Sequence, residues 1–392
     1  MRRAPTVPES GLRPAGARPL LAGLLLSLVS IAICLGALEA ALRLAPARLL
    51  PSGSYVSGRL DPQLGVDVHA APVLYTKTGF VRRVPNHEGF LDVEHDARAA
   101  SGVTRIGVFG DSYVEAQQVP LEATFFRRGQ ERLGPGTEWL AFGMSGWGTL
   151  QAYRAFEVFA PRDQLSIAVY VFVENDPGDN DYLIKTQAVG SGRPLPGALL
   201  SADGDSWEER SAVPPGSEPL WYIPAKWLRR HSLLAHVVVD RLTILRRRGV
   251  QVREDRALRE MGGAARGVPD VNDLPPTWPA DDRARVERLG RLLLRDWKRA
   301  ADARHTDLLV LYVPRGNDQL RGVIAESDTW LPWLRATCAD LGLPIVDPTG
   351  ALREALANGR EVYADHWTAA GHEVVAGVLA DVLQPRLRTA YR

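Results

Sequence analysis

Cysteine is scarce in this chain, and charge of one sign is not in excess. The 392 residues include two cysteines, Cys34 inside an apolar run and Cys338 far downstream. No disulfide framework can be built from that pair, and cysteine usage does not identify a compartment. The 47 basic and 46 acidic residues leave a formal charge of +1. A polyanion-binding role has no electrostatic support, and no nucleic-acid partner is expected. HExxH and CxxC are missing, and the histidines other than His366 and His372 show no ligand spacing, so no metal is implied. A Gly-rich phosphate loop, a dinucleotide fingerprint and an internal repeat are absent as well, and no cofactor is expected. What is present is an ordinary globular composition, 45% hydrophobic and 24% charged, which argues against a wholly disordered chain. The length allows one large domain or two small ones.

Charge is also missing from Pro19 to Leu38, a run of twenty residues. At helical rise such a run spans about 30 Å, the thickness of a bilayer's hydrocarbon core. The preceding tail, residues 1–18, sets Arg2, Arg3, Arg13 and Arg18 against Glu9 and favours a cytoplasmic N-terminus. Arg43 and Arg48 beyond the span weaken that bias, and Glu39 and Arg43 stand at i, i+4, where they can pair. The expectation is a single-pass signal-anchor over residues 19–42 in a bacterial inner membrane, with the rest of the chain on the periplasmic side. Two other readings compete. One is a cleaved signal peptide, for which Ala45-Pro46-Ala47 resembles a cleavage site. The other is a buried core helix, which a run apolar on every face disfavours.

Residues 43–100 read as an irregular lead-in or linker. After it, strand and helix signals alternate. Val103–Phe109, Glu138–Phe142, Leu165–Val173, Asp307–Val313 and Pro344–Val346 read as strands, the third being rich in β-branched and aromatic residues. Leu121–Leu133, Thr149–Phe159, Asp281–Arg304 and Ala369–Leu383 read as helices, with Leu289, Leu292, Leu293 and Trp297 on one face of the long one. The alternation predicts a three-layer α/β/α domain over residues 101–385, with a parallel, flavodoxin-like sheet of about five strands. Residues 183–275 break the rhythm with a Gly/Pro/Ser-rich stretch, the aromatics Trp221, Tyr222 and Trp227, and a basic helix near 231–248. They read as an insertion over or beside the active-site face, and Arg246-Arg247-Arg248 as a solvated helix end. Residues 386–392 read as a tail.

In a doubly wound sheet ligands bind at the carboxyl ends of the strands. The residues there are Gly110-Asp111-Ser112, then Gly143-Met144-Ser145-Gly146-Trp147-Gly148, then Glu174-Asn175-Asp176, and near the C-terminus Asp365-His366-Trp367. Together they hold what acyl transfer needs. A serine hydroxyl is a weak nucleophile and needs a base, which a near-neutral imidazole supplies. A carboxylate orients that imidazole, and fixed N–H donors hold the oxyanion. The backbone N–H groups of Ser112 and Gly146 and the Asn175 amide can be those donors.

These loops resemble the conserved blocks of the SGNH/GDSL hydrolase family. Gly110-Asp111-Ser112 resembles the first block, with Ser112 at the nucleophile. Phe142–Gly148 resembles the second, with Gly146 at the oxyanion glycine, and Phe172–Asp176 the third, with Asn175 at the oxyanion asparagine. Tyr363–His372 resembles the fifth, with His366 at the catalytic histidine. The resemblance covers roughly residues 101–385 in the right order. It implies an extracytoplasmic serine esterase working through an acyl-serine intermediate on an ester-bearing small molecule, a lipid or an acetylated glycan. The Asp365-His366-Trp367 triplet is also similar to exported O-acetyltransferases of polysaccharides, so transfer or deacetylation stays open, as does a non-catalytic envelope-binding role.

One position departs from the family pattern. The family's aspartate stands three residues before the histidine, and here that position is Tyr363. Asp365 is the nearest carboxylate, but neighbours on an extended segment point to opposite faces, so the pair needs a local turn. A Ser–His dyad, a backbone carbonyl and the remote Asp347 are the alternatives. Asp111 is expected to shape its loop and His372 to cap or pack, whereas Trp147 and Trp367 could equally pack or stack on substrate.

Overall fold

The computed structural model describes residues 17–44, 52–187, 195–210, 227–228, 231–239, 241–242 and 270–390. The basic tail up to residue 16, Ala45-Pro46-Ala47, Trp221, Tyr222 and Arg246-Arg247-Arg248 lie outside the described residues.

A 28-residue helix, Ala17–Leu44, comes first. The most apolar 18-residue window of its Leu21–Leu44 stretch has a mean hydropathy of 2.5 and is not buried against protein. The reading as a core helix therefore fails: these side chains find no core. At about 1.5 Å per residue the stretch is long enough to cross a membrane.

The segment expected to be irregular carries five short strands, β1 (Ser54–Tyr55), β2 (Gly58–Asp61), β3 (Val66–His69), β4 (Val73–Tyr75) and β5 (Val81–Arg83). They pair antiparallel as β1-β4-β5 and β2-β3. Strands of two to four residues are too short for an alternating pattern to show in sequence. Val68 and Phe90 tie this segment into the same core as Phe142 and Trp147.

Five strands follow as one parallel sheet, β6 (Thr104–Gly110), β7 (Thr137–Gly143), β8 (Ile167–Phe172), β11 (Asp307–Tyr312) and β12 (Ile345–Val346). A hairpin of β9 (Gly197–Leu200) and β10 (Trp207–Arg210) lies inside the expected insertion. The spatial order β12-β11-β8-β6-β7 is the flavodoxin-like one anticipated from the alternation. Strand order reverses between β6 and β8, and ligand sites of such sheets lie at that switch point. Every residue of β6 and β8 is buried, as in a sheet covered on both faces, and β8 reads as a continuous apolar run.

Alternate side chains of these strands enter two cores. Ile106, Val108, Val169 and Val171 pack with Phe125, Val375 and Leu379, from helices Phe125–Leu133 and Ala369–Ala390. Phe109, Tyr170 and Phe172 pack with Phe156 and Trp297, from helices Thr149–Asp163 and Ala280–Ala303. Leu289, Leu292, Leu293 and Trp297 are all buried, as their spacing implied. Each fully buried large apolar side chain contributes about 1.5–3 kcal/mol, so these two layers rather than the short N-terminal strands hold the domain together. Both cysteines are free, Cys338 in the core and Cys34 on the apolar helix.

Candidate active site

At the end of β6 the chain turns at Asp111 into the short helix Ser112–Glu115. The Asp111 carboxylate accepts the Tyr113 backbone N–H at 2.9 Å and so shapes the turn. Gly143 pairs with Gly110 across β6 and β7. A Cβ on Gly143 would lie 2.8 Å from the Glu115 amide nitrogen and strike Val114, so only glycine lets this turn lie against β7.

The turn presents Ser112 to His366, 254 residues further on, with Ser112 Oγ 2.8 Å from His366 Nε2. Ser112 Oγ also stands 3.2 Å from Asp111 Oδ2. Burial pushes the Asp111 carboxyl up to about 6. His366 sits in a tight turn, in which the Ala364 N–H donates to the His366 carbonyl at 2.9 Å and Tyr363 and Trp367 form a bridge. The Tyr113 ring lies 4.8 Å from the imidazole, between centroids.

That turn brings Asp365 Oδ2 to 3.3 Å from His366 Nδ1. The approach is an ion-pair distance without hydrogen-bond alignment, because Nδ1 has no hydrogen-bond partner among the described residues. Asp365 thus stands beside the ring as a charged neighbour, and no backbone carbonyl bonds Nδ1 among the described residues. The same Oδ2 accepts from the Tyr75 hydroxyl at 3.0 Å and from Lys77 Nζ at 3.1 Å. His366 first, and then Lys77, hold the Asp365 carboxyl well below the usual carboxylate range, against the cost of partial burial. Burial and the adjacent Asp365 push the Tyr75 phenol up to about 12. Asp347, the remote candidate, instead accepts from Thr349 N–H at 2.9 Å and from Arg335 Nη2 at 2.7 Å. Tyr363, at the family's aspartate position, is buried and donates to the Pro314 carbonyl at 2.8 Å.

Ser112, Gly146 and Asn175 follow the carboxyl ends of β6, β7 and β8, which are adjacent in the sheet. Gly146 has φ +82°, a left-handed conformation that favours glycine. Asn175 Nδ2 donates to Asp179 Oδ2 at 2.6 Å, which fixes the amide and leaves its second N–H to point elsewhere. Just beneath it, Asp176 accepts from the Tyr170 hydroxyl at 2.5 Å and from Val173 N–H at 3.0 Å, and burial raises its carboxyl well above the ordinary value. The Gly146 loop is fastened from the short helix that begins at Ser112. Glu115 accepts the Ser145 N–H at 2.8 Å and the Ser145 hydroxyl, while its other oxygen lies 2.5 Å from His69 Nε2 on β3. Burial opposes the Glu115 charge, yet His69 and Ser145 hold its carboxyl below the ordinary value.

His69, Tyr75, Lys77 and Glu115 escaped sequence reasoning. Glu115 carried a weak signal, an acidic residue three positions after the serine. The other three lie in strands or turns too short to mark. Trp147 and Trp367 are 1% and 0% exposed, which settles them as packing residues. His372 is fully buried and its Nδ1 accepts the Phe125 N–H at 3.1 Å, the capping role expected of it.

No protein-family model and no curated protein matches the sequence. Among solved structures, the chain is similar to a lipase/acylhydrolase from Enterococcus faecalis, at 10% identity and a TM-score of 0.37, over 72% of this chain and 97% of the other. A member of the lipolytic protein G-D-S-L family from Veillonella parvula DSM 2008 is 12% identical, with a TM-score of 0.35 over 71% of this chain and 98% of its own. A carbohydrate acetylesterase family member from Sinorhizobium meliloti is 13% identical, with a TM-score of 0.32 over 73% of this chain and 99% of its own.

Proposed function

We propose that this chain is a membrane-anchored serine ester hydrolase of the SGNH/GDSL type, with its catalytic domain on the extracytoplasmic side. The observation that carries the reading is the 2.8 Å approach of Ser112 Oγ to His366 Nε2 at the switch point of a flavodoxin-like sheet. His366 takes the hydroxyl proton as Ser112 Oγ adds to the ester carbonyl. The Ser112 and Gly146 backbone N–H groups and the Asn175 amide hold the oxyanion. His366 returns the proton to the departing alcohol as the C–O bond breaks, leaving an acyl-serine. Water, deprotonated by the same imidazole, then adds to that ester and releases the acid with Ser112 restored. Asp365, ionised beside the ring, stabilises the imidazolium formed in each half.

A second reading keeps the acyl-serine and replaces water with a sugar hydroxyl of an exported glycan; the Asp365-His366-Trp367 triplet favours it. The test is turnover of a panel of short and long acyl esters and of an acetylated glycan by the full chain in detergent, beside Ser112→Ala. The expected result is release of free acid by the parent and a loss of about 10⁴-fold or more in the variant. Equal rates would end the serine mechanism, and acyl groups recovered on acceptor sugars would select transfer.

A further inference from the structure

The last turns of the apolar helix do not leave the domain untouched. Glu39, which follows the uncharged run, accepts Leu233 N–H at 3.0 Å, Leu234 N–H at 2.9 Å and the Ser232 hydroxyl at 2.9 Å. It thereby caps the helical segment 233–239 from outside that segment. Arg43 donates to the His231 carbonyl at 2.8 Å. The anchor and the insertion are thus joined at the level where the apolar helix ends, which is the headgroup level of a bilayer crossed by it.

A cavity of about 340 Å³ opens at this junction. Its apolar wall includes Leu42 of the anchor, Tyr55, Leu74 and Phe80 of the β1-β4-β5 segment, and Leu233 of the insertion. The volume is within the range of small-ligand sites. Arg43 and Arg82 line it, and no acidic residue does. Glu39 compensates Arg43 at 2.5 Å, whereas the exposed Arg82 side chain makes no ion pair or hydrogen bond among the described residues. An apolar chamber with an uncompensated guanidinium, touching the end of a membrane-length helix, matches one chemistry: an acyl chain joined to an anionic headgroup.

We propose that this cavity binds an anionic phospholipid of the membrane that the helix crosses, with an acyl chain against Leu74, Phe80 and Leu233 and the phosphate at Arg82. The inference rests on the membrane-anchored reading above. The site is separate from the reaction centre: on β4, Leu74 lines the cavity while the next side chain, Tyr75, holds Asp365.

The test uses the full chain in nanodiscs of phosphatidylcholine and phosphatidylglycerol in equal parts, with a diazirine on the acyl chain of one lipid or the other. After irradiation the adducts are mapped by mass spectrometry, with residues 21–44 as the internal reference. Phosphatidylglycerol is expected to label both that reference and peptides containing Leu74, Phe80 or Leu233. Labelled phosphatidylcholine should mark the cavity peptides several-fold less. Arg82→Glu should lower cavity labelling by roughly fivefold or more relative to the reference, since one basic contact with an anionic lipid is worth about 1 kcal/mol. Leu74→Trp, which fills the chamber, should lower it for either lipid. Adducts confined to residues 21–44, or cavity adducts indifferent to lipid charge and to both variants, would overturn the site and leave the anchor standing. Absence of adducts everywhere would overturn the anchor as well.

Discussion

His366 and His372 lie on one stretch of chain, the first on the turn before the closing helix and the second in that helix's first turn. His366 is partly open, 24% exposed at its side chain, with Ser112 on one ring nitrogen and the charge of Asp365 near the other. His372 is enclosed, stacked on Phe125 with centroids 5.9 Å apart, and it pairs with no carboxylate among the described residues. Burial, helped by the positive Arg83 and His366, drives the His372 imidazole down to about 3, so it stays neutral and accepts a backbone N–H. In the proposed reaction the same side chain carries a proton in one place, and in the other it is a fixed acceptor. Access to solvent, a nucleophile and a counter-charge make the difference, and none of them belongs to histidine itself.

The contrast can be pressed at four points, from the strongest effect down. His366→Ala should lower ester turnover about 10⁴-fold or more with little change in KM, measured under saturating ester; retention of activity would mean that another base serves Ser112. Asp365→Asn should lower kcat by about tenfold, less than in a triad with an aligned hydrogen bond, because the pair is partly solvated. A loss near that of His366→Ala would show the carboxylate to be a full triad member, and no loss would leave a Ser–His dyad. Lys77→Ala should cost only about two- to threefold in kcat, since Lys77 acts through Asp365 and is 46% exposed. Its effect should vanish in the Asp365→Asn background, and independent losses would separate Lys77 from that carboxylate.

His372→Gln should leave kcat unchanged and alter stability against pH instead. The unfolded imidazole takes a proton near pH 6.5 and the folded one only near 3, so the unfolded state binds more protons between those values. Stability from this group is complete above about pH 6.5 and is lost toward pH 3, at about 1.4 kcal/mol per pH unit. Asp111 and Glu174, raised by burial to about 6 and about 7, tilt the curve the other way over part of this window. The readout is therefore the parent-minus-variant difference in denaturant midpoints between pH 4 and 7 (about these limits). A flat difference would contradict a buried neutral His372.

Much of the fold was legible beforehand because the strands of a covered parallel sheet must be apolar on both sides. β6, β8 and β11 announced themselves as runs such as Leu165–Val173. The long helix announced itself through Leu289, Leu292, Leu293 and Trp297. Ser112 and His366 were legible because strand-end loops of such a sheet are where polar residues have chemistry to do. The N-terminal strands were not legible, since β1 has two residues and β4 three. Nor was the support they lend: Tyr75 and Lys77 meet Asp365 across 290 and 288 residues of chain. His69 on β3 meets Glu115 across 46 residues of chain, and no local pattern records such an approach.

Local chain properties alone determined the apolar helix, the alternation of strands and helices, and the four loops that bear Ser112, Gly146, Asn175 and His366. Periodicity and residue chemistry act over a few residues and need no knowledge of the rest. Only the tertiary structure decided how His366 and Asp365 stand to one another, which distant groups hold that carboxylate ionised, and where the anchor's Glu39 and Arg43 find partners. Those outcomes depend on angles of a turn and on ångström-scale separations between segments hundreds of residues apart, which packing sets and composition does not encode.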